Sequence, residues 1–173
     1  NNKNIVITSA VRTAVGTFKG SLKNIQGHGL GSVVIKGVME KSKLKIDEVD
    51  ELIMGQVLTA ATGQNPARQA AIHAGVPIEK PAYIVNQVCG SGLRSIAAGY
   101  QSIMSNDSNV VVAGGQESMS NAPHAISIRD DQKLEESNLV DTMIKDGLWD
   151  AFNGYHMGIT AENVATKWQI TRK

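Results

Sequence analysis

Ala82-Tyr-Ile-Val-Asn-Gln-Val-Cys-Gly-Ser-Gly-Leu-Arg-Ser-Ile-Ala-Ala-Gly-Tyr100 sets the only cysteine of a 173-residue chain between an apolar run and a helical one. Residues 82 to 88 follow Pro81, are partly β-branched and read as a buried strand. Apolar residues then recur at Leu93, Ile96, Ala97, Tyr100, Ile103 and Met104 with helical spacing. A strand therefore runs into a helix through Cys-Gly-Ser-Gly, with Cys89 at the join. The first N–H groups of a helix lack intrahelical partners and carry the positive end of its dipole, so they favour a thiolate and any oxyanion formed beside it. Gly90, Ser91 and Gly92 are small and are expected to leave room for a substrate carbonyl, which makes Cys89 a candidate nucleophile. The same spacing also fits a buried structural thiol.

Upstream, residues 4–11 (Asn-Ile-Val-Ile-Thr-Ser-Ala-Val) are β-type and are expected to form a first strand, followed by a glycine- and threonine-rich loop. Leu30, Val33, Val34 and Val38 predict a helix from about Gly29 to Lys41, with His28 just before it as a loop or capping residue. Glu51 to Leu58 reads as a second strand. Asn65-Pro66 and Gly75 bracket a short helix over 66–74, and His73 within it reads as a packing or surface residue because no carboxylate accompanies it. Downstream, Asn109-Val-Val-Val-Ala-Gly-Gly115 is a continuous apolar run of the kind found in strands buried on both faces. Strand, helix, strand, helix, strand, helix, strand, joined by right-handed crossovers, gives a layered α/β fold with helices on both faces of the sheet. Ligands of such sheets gather at the carboxyl ends of the strands, where Cys89 and Gln116-Glu-Ser-Met119 fall. Glu117 is expected either to orient groups there or to close a turn by accepting backbone N–H groups.

The character changes at Ser120. Arg129 to Asn138 is charged and without apolar period, and Gly147 to Gly158 gathers Leu148, Trp149, Phe152, Tyr155, His156 and Met157 in a loop context. That cluster is expected either to dock under its own loop or to cover a ligand. Thr160 to Trp168 has helical spacing.

Hydrophobic content of 42% and charge of 19% suit a globular chain, while 17 basic against 16 acidic residues leave no field to draw it onto nucleic acid or an anionic membrane. No segment approaches the ~20 apolar residues of a spanning helix, and the start lacks a signal-peptide layout, so a cytoplasmic location is expected. One cysteine forms no internal disulfide, and four scattered histidines carry no zinc signature.

Seven stretches carry more information together than apart. They are Arg12-Thr-Ala-Val-Gly16, Met54-Gly-Gln-Val57, Gly63-Gln-Asn-Pro-Ala-Arg-Gln-Ala70, Asn86-Gln-Val-Cys-Gly-Ser-Gly-Leu93, Gly114-Gly-Gln-Glu-Ser-Met-Ser-Asn-Ala-Pro123, Val140-Asp-Thr-Met-Ile-Lys-Asp-Gly-Leu148 and Met157-Gly-Ile-Thr-Ala-Glu-Asn163. In this order the chain resembles the amino-terminal part of the thiolases, in particular the biosynthetic acetyl-CoA acetyltransferase branch. The resemblance implies that Cys89 accepts an acetyl group from acetyl-CoA. A second acetyl-CoA, deprotonated at its methyl carbon, then attacks the acyl-cysteine to give acetoacetyl-CoA, and the reverse direction is thiolysis. It implies that residues 1–119 are the α/β domain and 120–173 the start of a loop domain in which Leu148, His156 and Met157 contact the pantetheine and acyl end of the substrate. No cofactor is implied beyond the coenzyme A thioester itself, and full-length members form homodimers or homotetramers, the latter through a loop matching about His124 to Asp141. Family members are longer, and their second half supplies a histidine that activates the cysteine, a second cysteine as acid and base, and a water-positioning asparagine. The resemblance also places position 173 inside the loop domain, before the last strand of the amino-terminal half. The 173 residues alone are thus expected to lack turnover.

Two other classes fit parts of the pattern. A non-catalytic association fragment would pair with a second half or another copy through an open sheet edge. A nucleotide-binding domain would explain glycines after strands, but Cys-Gly-Ser-Gly lacks the full glycine fingerprint and the phosphate-binding lysine motif.

Overall fold

Three parallel strands, β1 (Glu51–Gly55), β2 (Ala82–Val85) and β3 (Val111–Gly115), form a sheet in the order β2-β1-β3. The structure, a computed structural model, describes residues 4–128 and 139–173. It divides into two units, Asn1–Asn121 and Ala122–Lys173, and the sheet belongs to the first.

The register decides which helix covers which face. Leu52 pairs with Ala82 and Val112, and Met54 with Ile84, so these side chains share one face. Ile35 of α1 (Gly27–Ser42) and Ala67, Ala70 and Ala71 of α2 (Pro66–Ala74) join the buried cluster built on that face. Ile53 points the other way, with Val111 and Ala113, towards α3 (Ser91–Ser105). There Gly99 comes so near β3 that an added Cβ would lie 3.0 Å from Val111 Cγ1. The result is the α/β/α layering expected of the sequence. Ile35, Leu52 and Ile53 are wholly buried, each contributing roughly 1.5–3 kcal/mol of transfer free energy.

Helix ends follow their local chemistry. Asn65 Oδ1 accepts the Arg68 N–H at 3.1 Å, Pro66 occupies the first turn, and Gly75 closes α2 at φ +95°. His28 lies inside α1, which starts at Gly27, two residues earlier than the sequence placed it.

The expected first strand over residues 4–11 does not form. Lys41 Nζ of α1 donates to the Ala10 carbonyl at 3.0 Å, and a groove of about 600 Å³ is lined by residues 5–13 together with 110–115. β-branched side chains fit a pleated, paired surface, and no ladder pairs this segment with β3. Val6 and Ile7 stay more than two-thirds exposed.

α3 is a second departure. It buries Ser91, Ser95 and Gly99, its small-residue stripe, against the sheet. Leu93, Ile96, Tyr100 and Met104, whose spacing announced the helix, are exposed. A helix can sit this close to three strands only on small side chains.

The second unit, Ala122–Lys173, pairs β4 (His124–Ala125) with β5 (Val140–Asp141) antiparallel. A short π-helical stretch, Met143–Leu148, and α4 (Met157–Trp168) follow. The charged stretch 129–138, and with it most of the region matched to a tetramerisation loop, lies outside the described residues. No helix among the described residues is long and apolar enough to cross a membrane.

Candidate active site

Cys89 stands exposed, four residues beyond β2 and two before α3, on a turn whose backbone is unusual. Val88 has φ +48°, in the left-handed region that β-branched residues avoid. Three side-chain bonds hold the turn. Asn86 Oδ1 accepts the Val88 N–H at 2.9 Å, Ser91 Oγ accepts the Gln87 N–H at 2.8 Å, and the same hydroxyl donates to the Val88 carbonyl at 2.6 Å. The N–H groups of Gly90 and Ser91 donate to the carbonyls of Gln87 and Val88.

Ser91 and Gly92 do not open space for a substrate carbonyl, as their size suggested. Ser91 is 4% exposed, and its backbone packs so tightly on β1 that a Cβ on Gly55 would fall 2.3 Å from the Ser91 carbonyl carbon. Gly115 meets Gly92 in the same way at 3.4 Å. Glycines at the ends of two strands thus form the seat on which the start of α3 rests, directly behind the cysteine. Met54-Gly-Gln and Ala113-Gly-Gly-Gln carried that signal in the sequence, as glycines closing buried strands.

The strand ends are also stitched together. Gln116 Nε2 donates to Gln56 Oε1 (2.8 Å) and Gln56 Nε2 to the Leu58 carbonyl (3.0 Å), a buried amide chain running from β3 to the loop after β1. Glu117 adds a clamp, its carboxylate accepting the N–H groups of Val57 (2.8 Å) and Leu58 (3.3 Å). This is the turn-closing role, exercised on a neighbouring loop. Burial pushes the Glu117 carboxyl above the usual range, against the backbone N–H groups of Val57, Leu58 and Ser118, which pull it down. The clamp also ends β1 at Gly55, three residues before the expected end.

Leu148, His156 and Met157 belong to the second unit and are half-buried. A bridge between Trp149 and His156 brings them together. His156 caps α4, its Nδ1 accepting the Gly158 N–H at 2.9 Å, which leaves Nε2 to carry the proton. Between the bridged residues Asp150 organises a turn by accepting from Phe152 and Asn153, and those bonds hold its carboxyl below the usual range. Phe152 is almost fully exposed, so this part of the aromatic cluster does not dock under its own loop. Among the described residues no three His, Cys, Asp or Glu side chains gather as a metal site requires.

A layered α/β sheet that carries an exposed cysteine on a strained turn ahead of a helix is the arrangement on which the family assignment bears. The chain belongs to the thiolase family: the family model described as "Thiolase, N-terminal domain" matches residues 5–173. It is 59% identical over 172 residues to "Acetyl-CoA acetyltransferase" of Rhizobium meliloti (strain 1021), covering 99% of this chain and 44% of that relative. Against the protein of the same name from Paracoccus denitrificans the identity is 59% over 167 residues, covering 96% and 43%. Against "Acetyl-CoA acetyltransferase, cytosolic" of Rattus norvegicus it is 52% over 169 residues, covering 98% and 43%. The chain therefore spans less than half the length of these relatives.

Proposed function

We propose that the chain is the nucleophile-bearing part of an acetyl-CoA C-acetyltransferase. The observation that carries the reading is the presentation of Cys89, exposed on a locked turn at the start of α3, in a chain so similar to proteins of that name. The Cys89 thiolate attacks the carbonyl carbon of acetyl-CoA, the bond to the coenzyme A sulfur breaks, and coenzyme A leaves as a thiolate that takes up a proton. The N–H groups of Gly90 and Ser91 are committed within the turn, so the oxyanion of the tetrahedral intermediate falls to the N–H of Cys89 and to donors outside this chain. A second acetyl-CoA, having lost a methyl proton to a base, attacks the acetyl-cysteine through that carbon. Acetoacetyl-CoA forms and the Cys89 thiolate is released. The acid and base belong to the portion of the relatives that this chain does not span. Leu148, His156 and Met157 are assigned to the acyl and pantetheine end of the substrate, with the His156 Nε2–H as a donor. No resident cofactor takes part.

By itself the 173-residue chain is expected to lack turnover. Acetoacetyl-CoA cleavage by this polypeptide above that of a Cys89→Ala variant would overturn that part of the proposal. The test of the nucleophile is intact-mass analysis after incubation with acetyl-CoA in the presence of the complementary portion of a relative. One acetyl group is expected on the parent chain and none on Cys89→Ala.

A second reading, association with a second half or another copy, is favoured by the open groove beside β3 and the exposed stripe on α3. A monomeric mass in size-exclusion chromatography at high concentration would remove support for self-pairing. A homodimeric or homotetrameric full-length protein in the cytoplasm completes the proposal; for the location, the support is the rat relative named as cytosolic.

A further inference from the structure

We propose that Ser91 is a positioning residue for Cys89, acting by holding Val88 in its left-handed conformation. The inference rests on the reading of Cys89 as the nucleophile. At φ +48° Val88 lies in the left-handed region, which is sparsely populated for a β-branched residue and therefore strained. Left free, the peptide would relax to an extended or right-handed conformation and carry the next residue with it. The Ser91 hydroxyl opposes that relaxation from both sides of Val88: it accepts from the Gln87 N–H (2.8 Å) and donates to the Val88 carbonyl (2.6 Å). Ser91 itself cannot move, because it is buried against Gly55 at the seat of α3. The strain therefore falls on the residue before the sulfur, and the sulfur points out of the turn towards solvent, ahead of the helix. Ser91 touches neither the sulfur nor a substrate in this arrangement; it acts through Val88.

The idea separates from a packing role by a second-site test. Glycine adopts φ +48° without steric cost, so a chain with Val88→Gly no longer needs the hydroxyl to keep the turn. Cys89 is the only cysteine, so iodoacetamide labelling reports on it alone. In the parent 173-residue chain Ser91→Ala is expected to slow labelling about three-fold or more, and in the Val88→Gly background to change it less than half as much. Equal slowing in both backgrounds, or none in the parent, would overturn the inference. Urea unfolding of the four chains gives the same comparison independently. If Ser91→Ala leaves the parent unfolded, recovery of folding by Val88→Gly supports the coupling and its absence refutes it. A parent Cys89 that labels no faster than in the urea-unfolded chain would instead count against the nucleophile reading, while the urea midpoints still report on Ser91 and Val88.

Discussion

Cys89 owes its setting to residues packed behind its turn. Gly55 is the most demanding of them, since any side chain there runs into backbone atoms of Ser91 and Gly92 at 2.3 to 2.6 Å. Backbone cannot swing aside as a flexible side chain would. Gly55→Ala is therefore expected to lower the stability of the chain by about 1–3 kcal/mol, read from urea unfolding, and to slow iodoacetamide labelling of Cys89 at the same time. An unchanged urea midpoint would mean that α3 does not rest on this glycine. The place of Cys89 was legible in the sequence because an apolar run meets a helical period at that residue. The work of Ser91 was not, because spacing shows that a residue is small and never what its hydroxyl bonds to. The glycines and serine after the cysteine read as space for a ligand, whereas two of the three supply contact with the sheet.

Among the elements, α2 was the most legible, since Asn65, Pro66 and Gly75 each act through local backbone chemistry that tertiary packing leaves intact. Asn65→Ala is expected to destabilise the chain by about 1 kcal/mol, checked by the urea midpoint. Segment 4–11 failed for the opposite reason: its side chains suit a strand, but a strand needs a partner that local sequence does not provide. α1 and α2 meet through an imidazole pair, His28 and His73, with ring centroids 5.6 Å apart. Burial, and then the neighbouring His73 charge, hold His28 below the ordinary histidine range, and its Nδ1 has no hydrogen-bond partner. The unfolded chain therefore takes up this proton first as pH falls. The His28 contribution to stability is complete above about pH 6.5 and is lost on acidification through and below that value. Urea midpoints measured on both sides of about pH 6.5 should fall more for the parent than for His28→Gln. Equal falls would remove His28 from the acid sensitivity.

At the largest scale, the first unit sets a small buried core beneath many exposed apolar side chains. Leu93, Ile96, Tyr100 and Met104 on α3, and Val6 and Ile7 beside the groove, stay in water. The dye ANS is accordingly expected to fluoresce strongly with the folded chain, and replacing Leu93 and Tyr100 by serine should weaken that signal. Because both side chains are exposed, the same change should alter the unfolding free energy, read from urea denaturation, by less than about 0.5 kcal/mol each. A large loss of stability would show that these side chains are buried after all. The layered α/β class was readable from alternating periods, but which stripe of α3 faces the sheet was not. Hydrophobic spacing marks the stripe that seeks cover, and here small residues already fill the sheet side.

Among the described residues β2 and β3 are the outer strands of the sheet, and the rim of β3 opens onto the groove instead of onto another ladder. Two copies meeting there can zip main chain to main chain without any matching of side chains, the first step towards cross-β stacking. Working concentration therefore sets how long a preparation stays clear. Turbidity and thioflavin signal should climb with it, and a lysine planted at Val112, which faces inward, would protect less than one planted at Ile7.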